Sequence, residues 1–190
     1  NDTTTKEVVD NLYRFNLEAS FFVLLRQVNL YRSSLDYILD HNMELALHSY
    51  NHKNLDKESI QTIKYEVSTA KRELQAFSQR KIKLFRLPYG SGIRNKPLRQ
   101  VIKNDEMVHV FWNVDTLDWK DKDPESIYKR TISQMDRTPK KSGIILFHDI
   151  HPQTVKASEM VMKHLVDEQK TVCTVGEMVK YLNSIKQDCL

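Results

Sequence analysis

Two histidines four residues apart, His48 and His52, are the clearest sign of chemistry in this sequence. They enclose Ser-Tyr-Asn and follow the apolar run 43–47. Neutral imidazole is a common zinc ligand, and a spacing of four on one helical turn places both rings on the same face. The spacing alone does not distinguish a metal site from two unrelated histidines.

Three further polar clusters follow apolar stretches of strand length. They are Arg86-Leu87-Pro88-Tyr89-Gly90, Asp115-Thr116-Leu117-Asp118-Trp119 and His148-Asp149-Ile150-His151. Each has an ordinary structural explanation when taken singly: a surface cation, a helix-capping aspartate beside a core aromatic residue, or a buried histidine. Their common position after predicted strands is the stronger observation, because such strand ends meet at one rim in a parallel barrel.

The chemistry of the four clusters is that of amide hydrolysis. A metal held by two histidines and a carboxylate keeps a position for a water whose pKa falls to about 7. An arginine can orient a carboxylate base, and an aspartate beside a histidine favours the charged imidazolium that protonates a leaving nitrogen. The clusters lack the third metal ligand and the base.

Helices and strands alternate along the chain. The patterns predict six strands, at 19–25, 43–48, 81–87, 107–114, 143–147 and 171–175. They predict seven helices: one around Val8 to Tyr13, one over 30–40, one from Ile60 to Phe77, and four over 98–103, 127–135, 155–166 and 177–185. This order is typical of a parallel α/β sheet, either open and doubly wound or closed into a barrel.

A (β/α) barrel is the closer match. No glycine-rich phosphate loop follows a strand, and the chain holds only 4 glycines, which disfavours a dinucleotide or P-loop fold. The chain opens on a helix, although a helix packed outside a barrel normally follows the strand that it crosses from. A first strand is therefore predicted to be missing from this sequence.

Composition predicts one soluble domain over residues 1–190. Hydrophobic residues make up 40% and charged residues 28%, and no apolar run approaches the length of a membrane span. The net charge of +4 is spread without a basic block, so nucleic-acid binding is not expected. The 2 cysteines, Cys173 and Cys189, give no basis for a disulfide framework or thiolate metal cluster.

The sequence resembles the polysaccharide deacetylase family, the NodB-homology domains of carbohydrate esterase family 4. The resemblance covers essentially the whole chain in five ordered motifs: 19–23 (Ala-Ser-Phe-Phe-Val), 48–52, 86–89, 115–119 and 146–151. It implies a distorted (β/α) barrel with about seven repeats. It also implies removal of N-acetyl groups from N-acetylated amino sugars in a polysaccharide or oligosaccharide.

The resemblance assigns roles to individual residues. It implies that His48 and His52 bind a divalent metal, with zinc expected, and that His148 is the general acid tuned by Asp118. Arg86 would orient the catalytic carboxylate, and Tyr89 would offer its backbone N–H to the oxyanion. Trp119 and Leu146 would wall the pocket for the acetyl methyl group, while Asp115 and His151 receive no assigned role.

One family motif is absent from the sequence. Thr-Phe-Asp-Asp-Gly, which supplies the base and the third metal ligand, does not occur, and counting back from Phe21 places its carboxylates just before Asn1. We therefore expect an N-terminally incomplete deacetylase domain. The alternative is a catalytically inactive, deacetylase-like carbohydrate-binding protein.

The expected partner is an N-acetylated glycan of unknown identity. This class of substrate suggests an extracytoplasmic location that is periplasmic, cell-surface or secreted.

Overall fold

The computed structural model describes residues 2–188, and their side chains as far as residue 184. The chain is an α/β protein with parallel strand pairing, as predicted, in two compact units: residues 20–111, and residues up to 19 together with those from 112 onward. Among the described helices, none has the length and apolar character that a bilayer crossing requires.

The elements follow in chain order. They are α1 (Asp2–Arg14), β1 (Ser20–Val23), α2 (Leu25–Leu30), α3 (Arg32–Asp40), β2 (Glu44–Leu47), α4 (Ile60–Lys64), α5 (Ala70–Ser78), β3 (Leu84–Phe85), α6 (Lys96–Asn104), β4 (Val108–His109), β5 (Val114–Asp115), α7 (Pro124–Arg137), β6 (Ile145–Leu146), α8 (Pro152–Asp167) and α9 (Val175–Asp188). Short 3₁₀ turns occupy Leu55–Lys57, Pro88–Gly90 and Pro139–Lys141, and a π-helical turn, Tyr65–Thr69, joins α4 to α5.

The 20–111 unit is built on a four-stranded parallel sheet in the order β1-β2-β3-β4. Phe22 pairs with Ala46, and Leu47 with Phe85, so the strands end at matching heights. Leu47 and Phe85 are fully buried and share one core with helix residues such as Leu74. Burial of each such side chain contributes about 1.5–3 kcal/mol, which fixes the strand ends that carry His48 and Arg86.

The other unit pairs β5 with β6 in parallel, with Asp115 opposite Leu146. Helix α8 packs against both α1 and α7. The core of this unit contains Val114, Val161 and Leu165, beside the partly buried Phe147. Helix α7 begins at Pro124, where the preceding Asp123 side chain accepts a hydrogen bond from Glu125 N at 3.1 Å.

Three predicted elements are wrong in their bounds or type. The predicted helix 30–40 begins at Arg32, as α3, because the chain breaks helical geometry at Tyr31 (φ −127°, ψ 56°); the helix before this break, α2, was not predicted. The predicted strand 107–114 is two short strands, β4 and β5, which belong to different sheets.

The third error is the predicted strand 171–175, which is not a strand. Thr174 caps α9 there: its N–H donates to Glu177 Oε2 at 2.9 Å, and its hydroxyl accepts from Glu177 N at 3.2 Å. This reciprocal capping box uses the backbone N–H that a strand ladder would need.

Candidate active site

The segment 48–52 extends the end of β2. His48 N donates to Val23 O at 2.8 Å, which continues the β1–β2 pairing by one residue. The half-buried His48 ring places Nδ1 2.9 Å from the backbone oxygen of Arg86. A carbonyl oxygen can only accept, so Nδ1 carries the proton, and in a neutral imidazole Nε2 is then the nitrogen with the lone pair.

Left-handed backbone, and not a helical turn, brings His52 back to His48. Ser49 has φ 83° and His52 has φ 63°. The fully buried Ser49 accepts a hydrogen bond from His52 N at its Oγ, at 3.0 Å. The two imidazole centroids lie 4.9 Å apart as a result. The predicted proximity of the rings is correct, but the predicted helical geometry is not.

Arg86 follows β3 in the same unit and is buried, at 7% exposure. Its guanidinium carbon lies 4.0 Å from the centroid of the Phe22 ring. Burial lowers the pKa of Arg86 to about 10, so the side chain remains a cation at neutral pH. A planar cation held this rigidly is suited to orient a carboxylate.

Tyr89 lies in the turn after Pro88. Its backbone is left-handed (φ 59°, ψ 8°) and its side chain is exposed. The Tyr89 ring meets the His52 ring edge-on, with centroids 4.6 Å apart. The structure therefore brings Tyr89 to the histidine pair within the 20–111 unit.

Imidazole in its neutral form matches the donor chemistry of zinc and similar divalent ions. Over residues 2–188, no group of three or more His, Cys, Asp or Glu side chains is arranged to bind a metal ion. Among the described residues, the His48 and His52 rings are therefore a pair of nitrogen donors without a third side chain of this kind arranged beside them.

The other unit contains the Asp118–His148 pair. Asp118 is fully buried and accepts from His148 Nδ1 at 2.8 Å, from His148 N at 2.7 Å and from Thr154 Oγ1 at 2.7 Å. Burial raises the pKa of Asp118, but the hydrogen bonds from His148 and Thr154 outweigh it and leave the pKa below its usual value. A carboxylate held ionised in this way orients His148 with Nδ1 protonated and Nε2 directed away from it.

Trp119 and Leu146 differ in exposure. Trp119 follows Asp118 and exposes 55% of its surface, whereas Leu146 on β6 is buried. The Leu146 carbonyl accepts from Thr116 Oγ1 at 2.7 Å, which ties the 115–119 segment to the strand that leads to His148.

Asp115 and His151 have structural contacts in the same unit. Asp115 Oδ1 accepts from Leu117 N at 3.0 Å, and its backbone N–H and C=O both bond the Gln134 side chain. His151 precedes α8, and its carbonyl accepts from Thr154 N at 3.0 Å. Cys173 is exposed, while Cys189 lies outside the described residues.

Sequence reasoning missed two residues that support these groups. Thr154 bonds Asp118, and Glu66, fully buried in the π-helical turn, accepts hydrogen bonds from the segment between His48 and His52. Glu66 lies within the apolar series Ile63, Val67 and Leu74, where a carboxylate is unusual. This charged residue in an apolar series was the sequence feature that could have identified Glu66 as a supporting residue.

Comparison with known proteins identifies the family. The family model described as polysaccharide deacetylase matches residues 1–110. A curated relative, the peptidoglycan-N-acetylmuramic acid deacetylase PdaC of Bacillus subtilis, is 30% identical over 178 residues, which are 94% of this chain and 36% of that protein. The peptidoglycan-N-acetylglucosamine deacetylase PgdA of Listeria monocytogenes is 28% identical, over 93% of this chain and 36% of its own length.

Solved structures agree with this assignment. The structure of PdaC from Bacillus subtilis matches with a TM-score of 0.84 and 30% identity, over 98% of this chain and 89% of that one. A mutant of a CE4 family pseudoenzyme from Bacillus anthracis, with restored enzymatic activity, matches with a TM-score of 0.83 and 25% identity, over 93% of this chain and 62% of that one. The α/β fold is therefore the fold of CE4 family structures. The chain belongs to the polysaccharide deacetylase family, and it spans about a third of the length of the two curated relatives.

Proposed function

We propose that this chain is the catalytic part of a metal-dependent hydrolase that removes N-acetyl groups from N-acetylated amino sugars in a polysaccharide or oligosaccharide. The observation that carries the proposal is the His48–His52 pair, with ring centroids 4.9 Å apart and His48 Nδ1 bonded to a backbone carbonyl. The names of the two curated relatives favour a peptidoglycan substrate. A cell-wall substrate in turn favours an extracytoplasmic location.

His48 and His52 are the proposed ligands of a divalent metal, for which zinc is the first candidate. Such a metal supplies a Lewis acid that polarises the amide carbonyl and lowers the pKa of water. The third ligand and the base are the role of the family's Thr-Phe-Asp-Asp-Gly motif, which does not occur in these 190 residues. The single-domain organisation and the distorted (β/α) barrel are part of the same proposal.

The remaining residues act on the amide and its leaving group. His148 donates a proton from Nε2 to the departing nitrogen, and Asp118 stabilises the imidazolium that precedes this transfer. Arg86 orients the carboxylate base. The Tyr89 backbone N–H donates to the oxyanion, and Trp119 and Leu146 bind the acetyl methyl group.

Acetate release tests this function. The protein as encoded, including any residues that precede Asn1, is incubated with zinc and either peptidoglycan or an N-acetylglucosamine oligomer. We expect free acetate, and we expect His148→Ala to lose most of it. No acetate from any N-acetylated glycan, with the upstream carboxylates present, would contradict the proposal.

Glycan binding without hydrolysis is the second candidate function. One observation favours it: a similar solved structure belongs to a CE4 family pseudoenzyme. This candidate predicts that the protein is retained on insoluble peptidoglycan and releases no acetate when zinc is added. Acetate release abolished by His148→Ala would exclude it.

A further inference from the structure

Glu66 is a fully buried carboxylate in the π-helical turn Tyr65–Thr69. Its Oε2 accepts from Tyr50 N at 3.1 Å and Asn51 N at 2.7 Å, and its Oε1 accepts from Asn51 Nδ2 at 2.9 Å. Tyr50 and Asn51 lie between His48 and His52. We propose that Glu66 is a positioning residue that holds the segment 48–52 in its metal-binding shape, an inference that rests on the proposed function.

The π-helical turn explains how Glu66 reaches that segment. Neighbouring positions of a helix point about 100° apart, so two adjacent buried side chains face different neighbours. Here both Glu66 and Val67 are fully buried, and Val67 belongs to the hydrophobic core. The wider turn lets Glu66 face the 48–52 segment while Val67 stays in the core, and such turns often occur at functional sites.

A carboxylate suits this position because the segment presents only donors to it. The Tyr50 and Asn51 N–H groups converge on one oxygen, and the Asn51 amide meets the other. A carboxylate of this length accepts at both oxygens and so meets all three donors at once. The clamp therefore fixes the middle of the segment.

Fixing the middle also fixes both ends of the segment. Ser49 and His52 hold left-handed backbone conformations that non-glycine residues rarely adopt. The bonds to Glu66 and the Ser49 Oγ bond to His52 N stabilise these conformations, together with the bonds from Leu25 N and Arg26 N to the carbonyls of Ser49 and Tyr50. Without the clamp the segment would relax, and the 4.9 Å separation of the imidazoles would no longer be maintained.

Two substitutions distinguish the effect of the length of the Glu66 side chain from the effect of its charge. Glu66→Asp keeps the charge but withdraws the carboxylate by one methylene, so it cannot bridge the same donors. Glu66→Gln loses the charge but keeps the reach: its oxygen accepts both backbone N–H bonds, and the Asn51 amide can flip to meet its NH₂. Glu73→Gln is the control, because it makes the same change of charge at a glutamate of the next helix, α5.

The measurement is the affinity of each purified chain for Zn²⁺, from competition with a chromophoric chelator well below its melting temperature. We expect Glu66→Asp to bind about 10- to 100-fold more weakly, the usual loss for an outer-shell partner. We expect Glu66→Gln and Glu73→Gln to stay near the unsubstituted chain. Unchanged affinity in Glu66→Asp with a lowered melting temperature would show a purely structural role and overturn the inference.

Two other outcomes are also decisive. If Glu66→Gln loses affinity while Glu66→Asp retains it, the charge of Glu66 matters and not its reach, which overturns the positioning role. If the unsubstituted chain binds no Zn²⁺ even when the upstream carboxylates are present, the proposed function itself fails.

Discussion

Replacing Asp118 with asparagine tests how the proposed general acid is prepared. Asp118 Oδ1 accepts from His148 Nδ1 at 2.8 Å, and Oδ2 accepts from His148 N and Thr154 Oγ1 at 2.7 Å each. In Asp118→Asn, the carboxamide oxygen can keep the two Oδ2 bonds, so its NH₂ then faces His148 Nδ1. Two donors cannot bond, and the imidazole must carry its proton on Nε2 alone.

The loss can be estimated from the bond that disappears. A hydrogen bond to a charged group contributes about 1.5–3 kcal/mol. His148 is 37% exposed, so water screens the pair and a value near the lower end of this range is also expected. At about 1.4 kcal/mol per tenfold, kcat should fall roughly 10- to 150-fold.

The assay is the rate of acetate release as a function of pH. In Asp118→Asn we expect a lower kcat over the whole pH range, because His148 Nδ1 no longer donates to a carboxylate. Thr154→Val is the matched control: it removes one bond to Oδ2 and leaves the Asp118–His148 contact in place. Unchanged kcat in Asp118→Asn, or an equal fall in Thr154→Val, would refute the assigned role of Asp118.

Three further predictions follow from the same structure. His148→Ala should lower turnover by roughly 10²- to 10⁴-fold while Zn²⁺ affinity is unchanged, as measured by acetate release and chelator competition; loss of the metal would contradict the general-acid role. The folded pKa of Asp118 is lowered, so its stabilising effect is complete above the unfolded pKa of about 4 and is lost as pH falls through the folded value. Urea unfolding should therefore show the stability difference between the unsubstituted chain and Asp118→Asn shrinking in acid, and a constant difference would refute this linkage. Phe85→Ala removes a fully buried ring and should cost about 3–5 kcal/mol of unfolding free energy in urea, far more than Phe77→Ala at a 37% exposed position; similar costs would contradict the described core.

Sequence patterns predicted the elements whose signals are local. The apolar runs 19–25 and 43–48 contain β1 and β2, and the series from Ile60 to Phe77 contains α4 and α5. Strand pairing is not local, so the run 107–114 gave no sign that β4 and β5 join different sheets. At 171–175 the β-branched residues suggested a strand, but the Thr174–Glu177 cap took the backbone N–H that pairing needs.

In the candidate site, too, the sequence predicted some features, whereas others depend on contacts between segments that are distant in sequence. Motif order predicted that the rings of His48 and His52 would lie together, and that His148 would pair with Asp118. It did not predict the left-handed turns at Ser49 and His52, because these depend on contacts with Glu66 and a buried hydroxyl. Supporting residues of this kind are fixed by packing, which a linear pattern does not record.

The central claim is that hydrolysis requires a metal held by His48 and His52. The most direct test is acetate release from an N-acetylated glycan by the protein as encoded, measured before chelation, after removal of divalent metal, and after zinc is restored. We predict that activity disappears on chelation and returns with zinc, and that in His52→Ala zinc at the same concentration restores little or none. Acetate release that survives both chelation and His52→Ala would contradict the claim.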